Sequence, residues 1–248
     1  MAGASEGLGL AFAEVLAERG YDLLLIARRA ALLDRAATRL SAAHGVTVAT
    51  RAADLGDATI GESLRRWLLE APPSLAVYNA ASVPVGELIE QSEDDLLDVV
   101  RVNVRAPLVF ARAVGRSMAD RGGGGLLLMS SLAGFQGSPR IAAYAASKAF
   151  NTVLAEGLWH ELRPRGVRVS VCCAGAIRTP GFAHASGRDA PGTLDARAVA
   201  MDALDGLGRG PRSVPGWINR IAALVVGRWL PRRAAIGIMA GAAGDLQS

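Results

Sequence analysis

Only two cysteines occur in the 248 residues, and they are adjacent, Cys172 and Cys173, inside an apolar run. Neighbouring thiols cannot staple distant segments, and no metal-ligand partner stands at a suitable spacing, so a disulfide scaffold and a cysteine metal site are both excluded. The pair fits a reducing cytosol. No apolar stretch reaches the ~18 residues of a membrane span, and the chain does not open with a basic segment, an apolar run and a small-residue cleavage site. A soluble cytoplasmic protein is expected. Strong charge imbalance is missing too: the formal net charge is +4, and the basic residues are scattered rather than clustered with aromatics, so no nucleic-acid footprint is read. Lysine is nearly absent. Of the 27 basic residues 26 are Arg, and the single lysine is Lys148.

What is present is an apolar half, 51% of the residues, enough for one well-packed domain at this length. Runs rich in Leu, Val and Ile (Leu23–Ala27, Val46–Thr50, Leu75–Tyr78, Leu126–Met129 and Val167–Cys173) read as strands buried on both faces. They alternate with helical periodicity over Gly7–Arg19, Arg29–Ala43, Asp57–Ala71, Ser92–Asp120 and Pro139–Arg163. That alternation is a doubly wound α/β domain with a parallel sheet, whose ligands sit outside the carboxyl ends of the strands. The Gly122–Gly125 run reads as a turn. After Thr179 the alternation stops. Residues 180–214 are expected to wall the substrate site, with a helix over Asp195–Leu207 and a short strand near Arg212–Val214.

Gly3, Gly7 and Gly9 open the first helix, a geometry that aims backbone amides at a pyrophosphate. The strand that ordinarily precedes such a loop is missing before Met1. Its absence leaves two neighbouring strands without ladder partners, so a natural chain beginning upstream with an apolar strand is expected.

Tyr144 and Lys148 are four residues apart and share one helix face. At about 4 Å and an effective dielectric near 20, an ammonium stabilises a phenolate by roughly 4 kcal/mol, about three pK units. A phenol of pKa about 10 is then brought toward neutrality, where a general acid/base works best. Arg is a poorer substitute for a compact ammonium, which gives the solitary lysine its weight.

Taken together these motifs resemble the short-chain dehydrogenase/reductase family, from Ala2 to about Thr179. Gly3–Gly9 is similar to the family's T-G-x-x-x-G-x-G loop, with Ala2 in place of the threonine. Asp54-Leu55 resembles the acidic pair beside the adenine, and Tyr78-Asn79-Ala80-Ala81 resembles N-N-A-G at Asn79 and Ala80. Asn103 stands where the family keeps an asparagine. Tyr144-Ala145-Ala146-Ser147-Lys148 is its Y-x-x-x-K, and Ser131, thirteen residues before Tyr144, is chosen over Ser130. Gly175 and Thr179 resemble P-G-x-x-x-T with Ala174 for the proline.

The resemblance implies a Rossmann-like single domain and an oxidoreductase that moves hydride between a nicotinamide dinucleotide and a small-molecule carbonyl or alcohol. It implies Tyr144 as general acid/base, Ser131 polarising the carbonyl oxygen, Lys148 beside the ribose, and Asn103 holding a water that links Lys148 to solvent. The cofactor set is Gly3, Ser5, Gly7, Leu8, Gly9, Arg28, Arg29, Asp54, Leu55, Asn79, Ala80, Tyr144, Lys148, Gly175, Ile177 and Thr179, with no metal. Where the family carries an acidic residue for the ribose of NAD(H), this chain has Arg28 and Arg29, so NADP(H) is favoured. A homodimer or homotetramer is implied as well. A non-catalytic NADP(H)-binding regulator on the same fold is the alternative.

Residues 1–216 are read as the dinucleotide-binding domain and 217–248 as a basic amphipathic tail. Trp217, Ile218, Ile221, Leu224, Val225 and Trp229 fall at helical spacing among arginines. A lid or subunit contact is favoured over a helix lying on a membrane through 217–233.

Overall fold

Four of the five apolar runs form strands buried on both faces; the run expected over 46–50 does not, because it makes an edge strand over 48–52 with no residue buried. In the computed structural model, which describes residues 1–179 and 191–244, the strands are β1 (Leu23–Ala27), β2 (Val48–Ala52), β3 (Leu75–Tyr78), β4 (Gly124–Ser131), β5 (Val167–Ala174) and the short β8 (Arg212–Ser213). They pair in parallel as β2-β1 and as β3-β4-β5-β8. Two more two-residue strands, β6 (Ile177–Arg178) and β7 (Leu194–Asp195), pair beside the sheet.

Residues 1–3 join the two halves. Ala2 bridges both Ile26 and Tyr78, with its N–H donating to Val77 O at 2.9 Å and Gly3 N–H donating to Ile26 O at 2.8 Å. Toward the amino ends of β1 and β3 the gap between them is an apolar cavity of about 580 Å³, lined by Leu23, Leu24, Leu75, Ala76, Trp67 and Phe110 among others. In the place of the expected middle strand, Ala2 alone bridges to both neighbouring strands.

Alternate side chains of the same strands supply two cores. Leu25, Val77, Leu127, Met129 and Cys172 pack on one face with α1 (Gly7–Glu18) and α2 (Ala30–His44). Ile26, Tyr78, Leu126, Leu128, Val171 and Cys173 pack on the other with α3 (Ile60–Glu70), α5 (Ala106–Asp120) and residues of α6 (Ala142–Leu162). The fold is the expected single-domain doubly wound α/β arrangement. No helix of the described residues is long and apolar enough to cross a membrane.

Several expected boundaries move for identifiable reasons. Ser41 Oγ donates to Val46 O at 2.9 Å and Gly45 takes φ 68°, so the turn out of α2 runs on and β2 starts at Val48. Of the Gly122–Gly125 turn, only Gly122 and Gly123 stay outside the sheet. Gly124 and Gly125 begin β4 opposite Val167 and Arg168. α6 starts at Ala142 rather than Pro139, because Arg140 holds φ 67°, a left-handed conformation that no helix interior contains.

The helix expected over 92–120 is α4 (Glu93–Val100), a π turn (Arg101–Arg105) and α5. Pro107 explains the interruption. Without an N–H it cannot donate to Asn103 O four residues back or to Val102 O five residues back. Side chains take over both carbonyls: the Tyr78 hydroxyl donates to Val102 O at 2.6 Å, and Asn151 Nδ2 donates to Asn103 O at 3.1 Å. Tyr78 is buried, in edge contact with Phe110 at 5.4 Å between centroids. Tyr78→Phe strands the Val102 carbonyl, so a loss of about 1–3 kcal/mol is expected in urea unfolding. An unchanged midpoint would mean another donor serves that carbonyl.

Candidate active site

The carboxyl ends of the strands meet along one edge, and the sequence-predicted residues stand on it. The loop after Ala2 turns sharply at Gly3, φ 78°, where an added Cβ would lie 2.5 Å from the Ala80 backbone nitrogen. Gly9 is more constrained still. A Cβ there would lie 1.8 Å from Gly3 O, so only glycine fits where the helix meets the loop. Asn79 Nδ2 donates to Gly3 O at 3.0 Å and ties the β3 exit to the loop. α1 has no side-chain cap at its first residue, which leaves first-turn amides available to an anion.

A cleft of about 710 Å³ opens over this loop. Gly3, Ser5, Gly7, Leu8, Arg28, Arg29, Asp54, Leu55, Asn79, Ala80 and Thr179 all line it. Gly175 lies behind the wall, where a Cβ would meet Asn219 Oδ1 at 2.8 Å, and Ile177 packs against the core in β6. The two arginines differ in their commitments. Arg29 pairs with Glu6 and donates to Ser5 Oγ at 3.3 Å. Arg28 is exposed and makes no hydrogen bond or ion pair with the described residues. Glu6 sits inside the glycine-rich loop and stands 23 positions before Arg29, just past the end of β1, so the pair has no local signature in the sequence.

The adjacent serines at the end of β4 separate cleanly. Ser130 Oγ donates to Lys148 O at 2.8 Å and lies 2.8 Å from Thr152 Oγ1, so it fastens β4 to α6. Ser131 Oγ accepts from Ala133 N–H at 3.2 Å and stands beside the Tyr144 phenol. The thirteen-residue spacing therefore selects the serine that meets Tyr144.

Lys148 is buried, 3% exposed, with Nζ donating to Met129 O at 3.2 Å and lying 5.3 Å from the centre of the Tyr144 ring. The expected drop of the phenol toward neutrality is not found. Burial pushes the Tyr144 phenol up, and the neighbouring Ser131 hydroxyl only opposes it. The same desolvation lowers Lys148 from 10.5 to about 8. The i,i+4 spacing brings the two side chains together but does not set this balance, because it carries no information on how much water the helix face loses.

Asn103, fully buried in the π turn, spends its amide on protein. Oδ1 accepts from Ser82 N–H at 2.7 Å, and Nδ2 donates to Ser82 O at 2.8 Å and to Ser147 Oγ at 3.1 Å. Ser147 Oγ in turn donates to Tyr144 O at 2.6 Å. Asn103 thus couples the loop after β3 to the helix that bears Tyr144. Asn151 completes this group and went unnoticed in the sequence. It lies 1% exposed, its Nδ2 bonds Asn103 O, and its Oδ1 has no partner among the described residues. Its position seven residues after Tyr144, two helical turns along the same face, was the available signal.

Residues 1–189 match the family model described as short chain dehydrogenase, and the chain belongs to that family. A very-long-chain 3-oxoacyl-CoA reductase of Phaeosphaeria nodorum is 31% identical over 184 residues, covering 71% of this chain and 54% of that protein. Dehydrogenase/reductase SDR family member 4 of Rattus norvegicus is 33% identical over 178 residues, covering 71% and 63%. The chain thus matches less than two thirds of the length of these relatives. Among solved structures, a short-chain dehydrogenase from Sphingobium yanoikuyae in complex with NADPH is 30% identical with a TM-score of 0.82, covering 100% of this chain and 95% of that one.

The buried Lys148 gives a stability test. Its folded pKa, about 8, lies below its unfolded value of 10.5. Below pH about 8 both states hold the proton and the whole cost of burying the cation weighs on the fold. Between the two values only the unfolded state holds it, so this cost fades as pH rises and is gone above 10.5. Lys148→Met is therefore expected to stabilise the protein at pH 7 by on the order of 2–3 kcal/mol, an advantage that disappears near pH 10.5. Urea unfolding at both pH values measures it, and a destabilised variant at pH 7 would show that the bond to Met129 O outweighs desolvation.

Proposed function

We propose that this short-chain dehydrogenase is an NADP(H)-dependent oxidoreductase interconverting a carbonyl and an alcohol, with Tyr144 as general acid/base. The observation that carries this reading is the placing of Tyr144 beside Ser131 and within 5.3 Å of the buried Lys148 Nζ, at the strand edge that also holds the glycine-rich cleft. The cleft fits a dinucleotide: glycines whose side chains would collide with backbone, uncapped helix amides, and Arg28 at its rim.

A bound nicotinamide supplies or accepts the hydride. The chain supplies the rest. Ser131 Oγ is placed to hydrogen-bond the substrate oxygen and polarise it, and the Tyr144 hydroxyl to exchange a proton with that oxygen. Lys148, held by Met129 O, sets a positive charge under the Tyr144 ring and favours phenolate when Tyr144 has given its proton up. Asn103 and Asn151 hold the π turn against α6 and so fix where Tyr144 and Lys148 stand. Arg28 and Arg29 favour the phosphate-bearing dinucleotide; Arg28 is the reader with no competing ion pair among the described residues, whereas Arg29 must share itself with Glu6. A lipid-like or acyl carbonyl compound is the substrate class, in line with the name of the 31% identical reductase. Association as a homodimer or homotetramer through the outer faces of α5 and α6, where Leu108 and Val153 are exposed, belongs to the same reading.

Oxidation of NADPH, followed by its absorbance across a panel of ketones and aldehydes of increasing chain length, tests the proposal. Tyr144→Phe is expected to lower kcat by about a thousandfold with NADPH binding retained. Turnover indifferent to Tyr144 would overturn the mechanism. Tight NADPH binding with no turnover on any substrate would favour a nucleotide-binding regulator instead.

For the cofactor, Arg28→Asp is expected to raise the KM for NADPH by about tenfold or more while leaving that for NADH little changed, since it removes a charge-assisted contact and adds repulsion. An unchanged NADPH KM would remove Arg28 from the site.

A further inference from the structure

The described chain ends in two helices that lie against the loop following Ser131. The first, Trp217–Leu224, continues through a π turn, Val225–Trp229, and the second runs over Arg232–Gly244. The first helix docks by its polar side. Asn219 is its buried residue, donating to Gly192 O at 3.0 Å and Pro215 O at 3.1 Å, while Arg220 reaches Val214 O and Asp202. Beyond it, Gly227 lies against Phe135, Arg232 donates to Phe135 O at 2.6 Å, and Ala235 is fully buried.

The large apolar side chains face away from the protein. Trp217 and Trp229 are 70% and 72% exposed, and Ile218, Ile221, Leu224 and Ile238 are all exposed. At about 100° per residue, Trp217, Ile221 and Leu224 share an arc of roughly 60°, on the side opposite Asn219. A lid would have turned this stripe inward, so the helix does not close over its own chain.

The charges of the segment select what covers the stripe. From Trp217 to Gly244 there are four arginines and no Asp or Glu. A two-fold contact between copies would bring this patch onto itself, arginine against arginine, with no carboxylate in the segment to relieve it. An anionic lipid surface complements the same charges and accepts the apolar stripe, and indoles favour the boundary between headgroups and acyl chains. Helices of 8 and 13 residues are too short to span a bilayer, so contact of this kind would run along its surface.

We propose that residues 217–238 form an interfacial helix pair that docks the protein on anionic lipid, with Trp217, Ile221, Leu224 and Trp229 inserted and Arg232 and Arg233 at the headgroups. Through Phe135 the docked helices border the loop that leaves Ser131, so a lipid-dissolved carbonyl compound would enter the site from the bilayer. That last consequence rests on the proposed catalytic reading; the docking does not.

Flotation of the full chain with phosphatidylcholine vesicles, with and without phosphatidylglycerol, separates the two. The protein is expected to float with the mixed vesicles at least about tenfold more than with neutral ones, and less at high salt. The triple variant Trp217→Ser, Ile221→Ser, Trp229→Ser should lose that binding by about tenfold or more while its circular dichroism is unchanged, since these side chains touch little of the fold. Arg233→Glu, a single exposed charge, should weaken binding to the mixed vesicles several-fold and serves if the triple variant fails to fold. Absent flotation, variants that float like the parent, or an oligomer in solution that the triple variant breaks into smaller species would each overturn the docking, the last by showing that a second copy covers the stripe. Vesicle binding by a protein that turns over no carbonyl compound would leave the docking intact and remove only the catalytic reading.

Discussion

Two carbonyl groups that Pro107 cannot serve hold the candidate active site in place. Because Pro107 has no N–H, the oxygens of Val102 and Asn103 look outside their own helix for partners, and they find Tyr78 on β3 and Asn151 on α6. The π turn that results projects the Asn103 side chain between the Ser82 backbone and Ser147. Tyr78, Asn103 and Asn151 thus connect the sheet, the turn and the helix that bears Tyr144 and Lys148. Buried, these bonds are strong and their loss is costly, so the positions of Tyr144 and Lys148 inherit the rigidity of the core.

The same helix is fastened to the sheet from its other side by Ser130, through Lys148 O and Thr152, while the next residue, Ser131, is left to meet Tyr144. Structure and chemistry divide between neighbours on one strand because successive side chains point to opposite faces. Lys148 is what this arrangement costs. A cation 3% exposed, with one carbonyl for company, works against folding at neutral pH. Active sites hold such groups because the surrounding packing over-determines their position.

Much of this was readable in the residues. Apolar runs located five strands, and glycine positions marked the loop. The pair Tyr144 and Lys148 stood out for its four-residue spacing and for the absence of any other lysine, and Ser131 for its distance from Tyr144. What stayed hidden depended on solvent and on partners far along the chain. The direction of the Tyr144 shift needed the burial of the phenol, which a helical face alone does not encode. Asn151 is seen to matter only once Pro107, 44 positions earlier, is known to leave a carbonyl beside it. The ion pair of Glu6 with Arg29 likewise required β1 to deliver its end to the glycine-rich loop.

The tail shows the same limit in its sharpest form. Periodicity identifies which side chains share a face, but it does not say which face turns inward. Hydrophobic burial alone would have sent Trp217, Ile221 and Leu224 into the protein. The site they would have entered is already filled by an amide. Gly175 and Gly192 leave room for the side chain of Asn219, since a Cβ at either would lie 2.8 Å or 2.5 Å from its Oδ1. With Asn219 bonded to Gly192 O and Pro215 O, inverting the helix would strand those two carbonyls and bury the amide's replacement against backbone. A pair of glycines and one asparagine therefore fix the rotation of a helix whose apolar face would by itself prefer the opposite one. The exposed stripe is a consequence of that local polar fit rather than of weak packing.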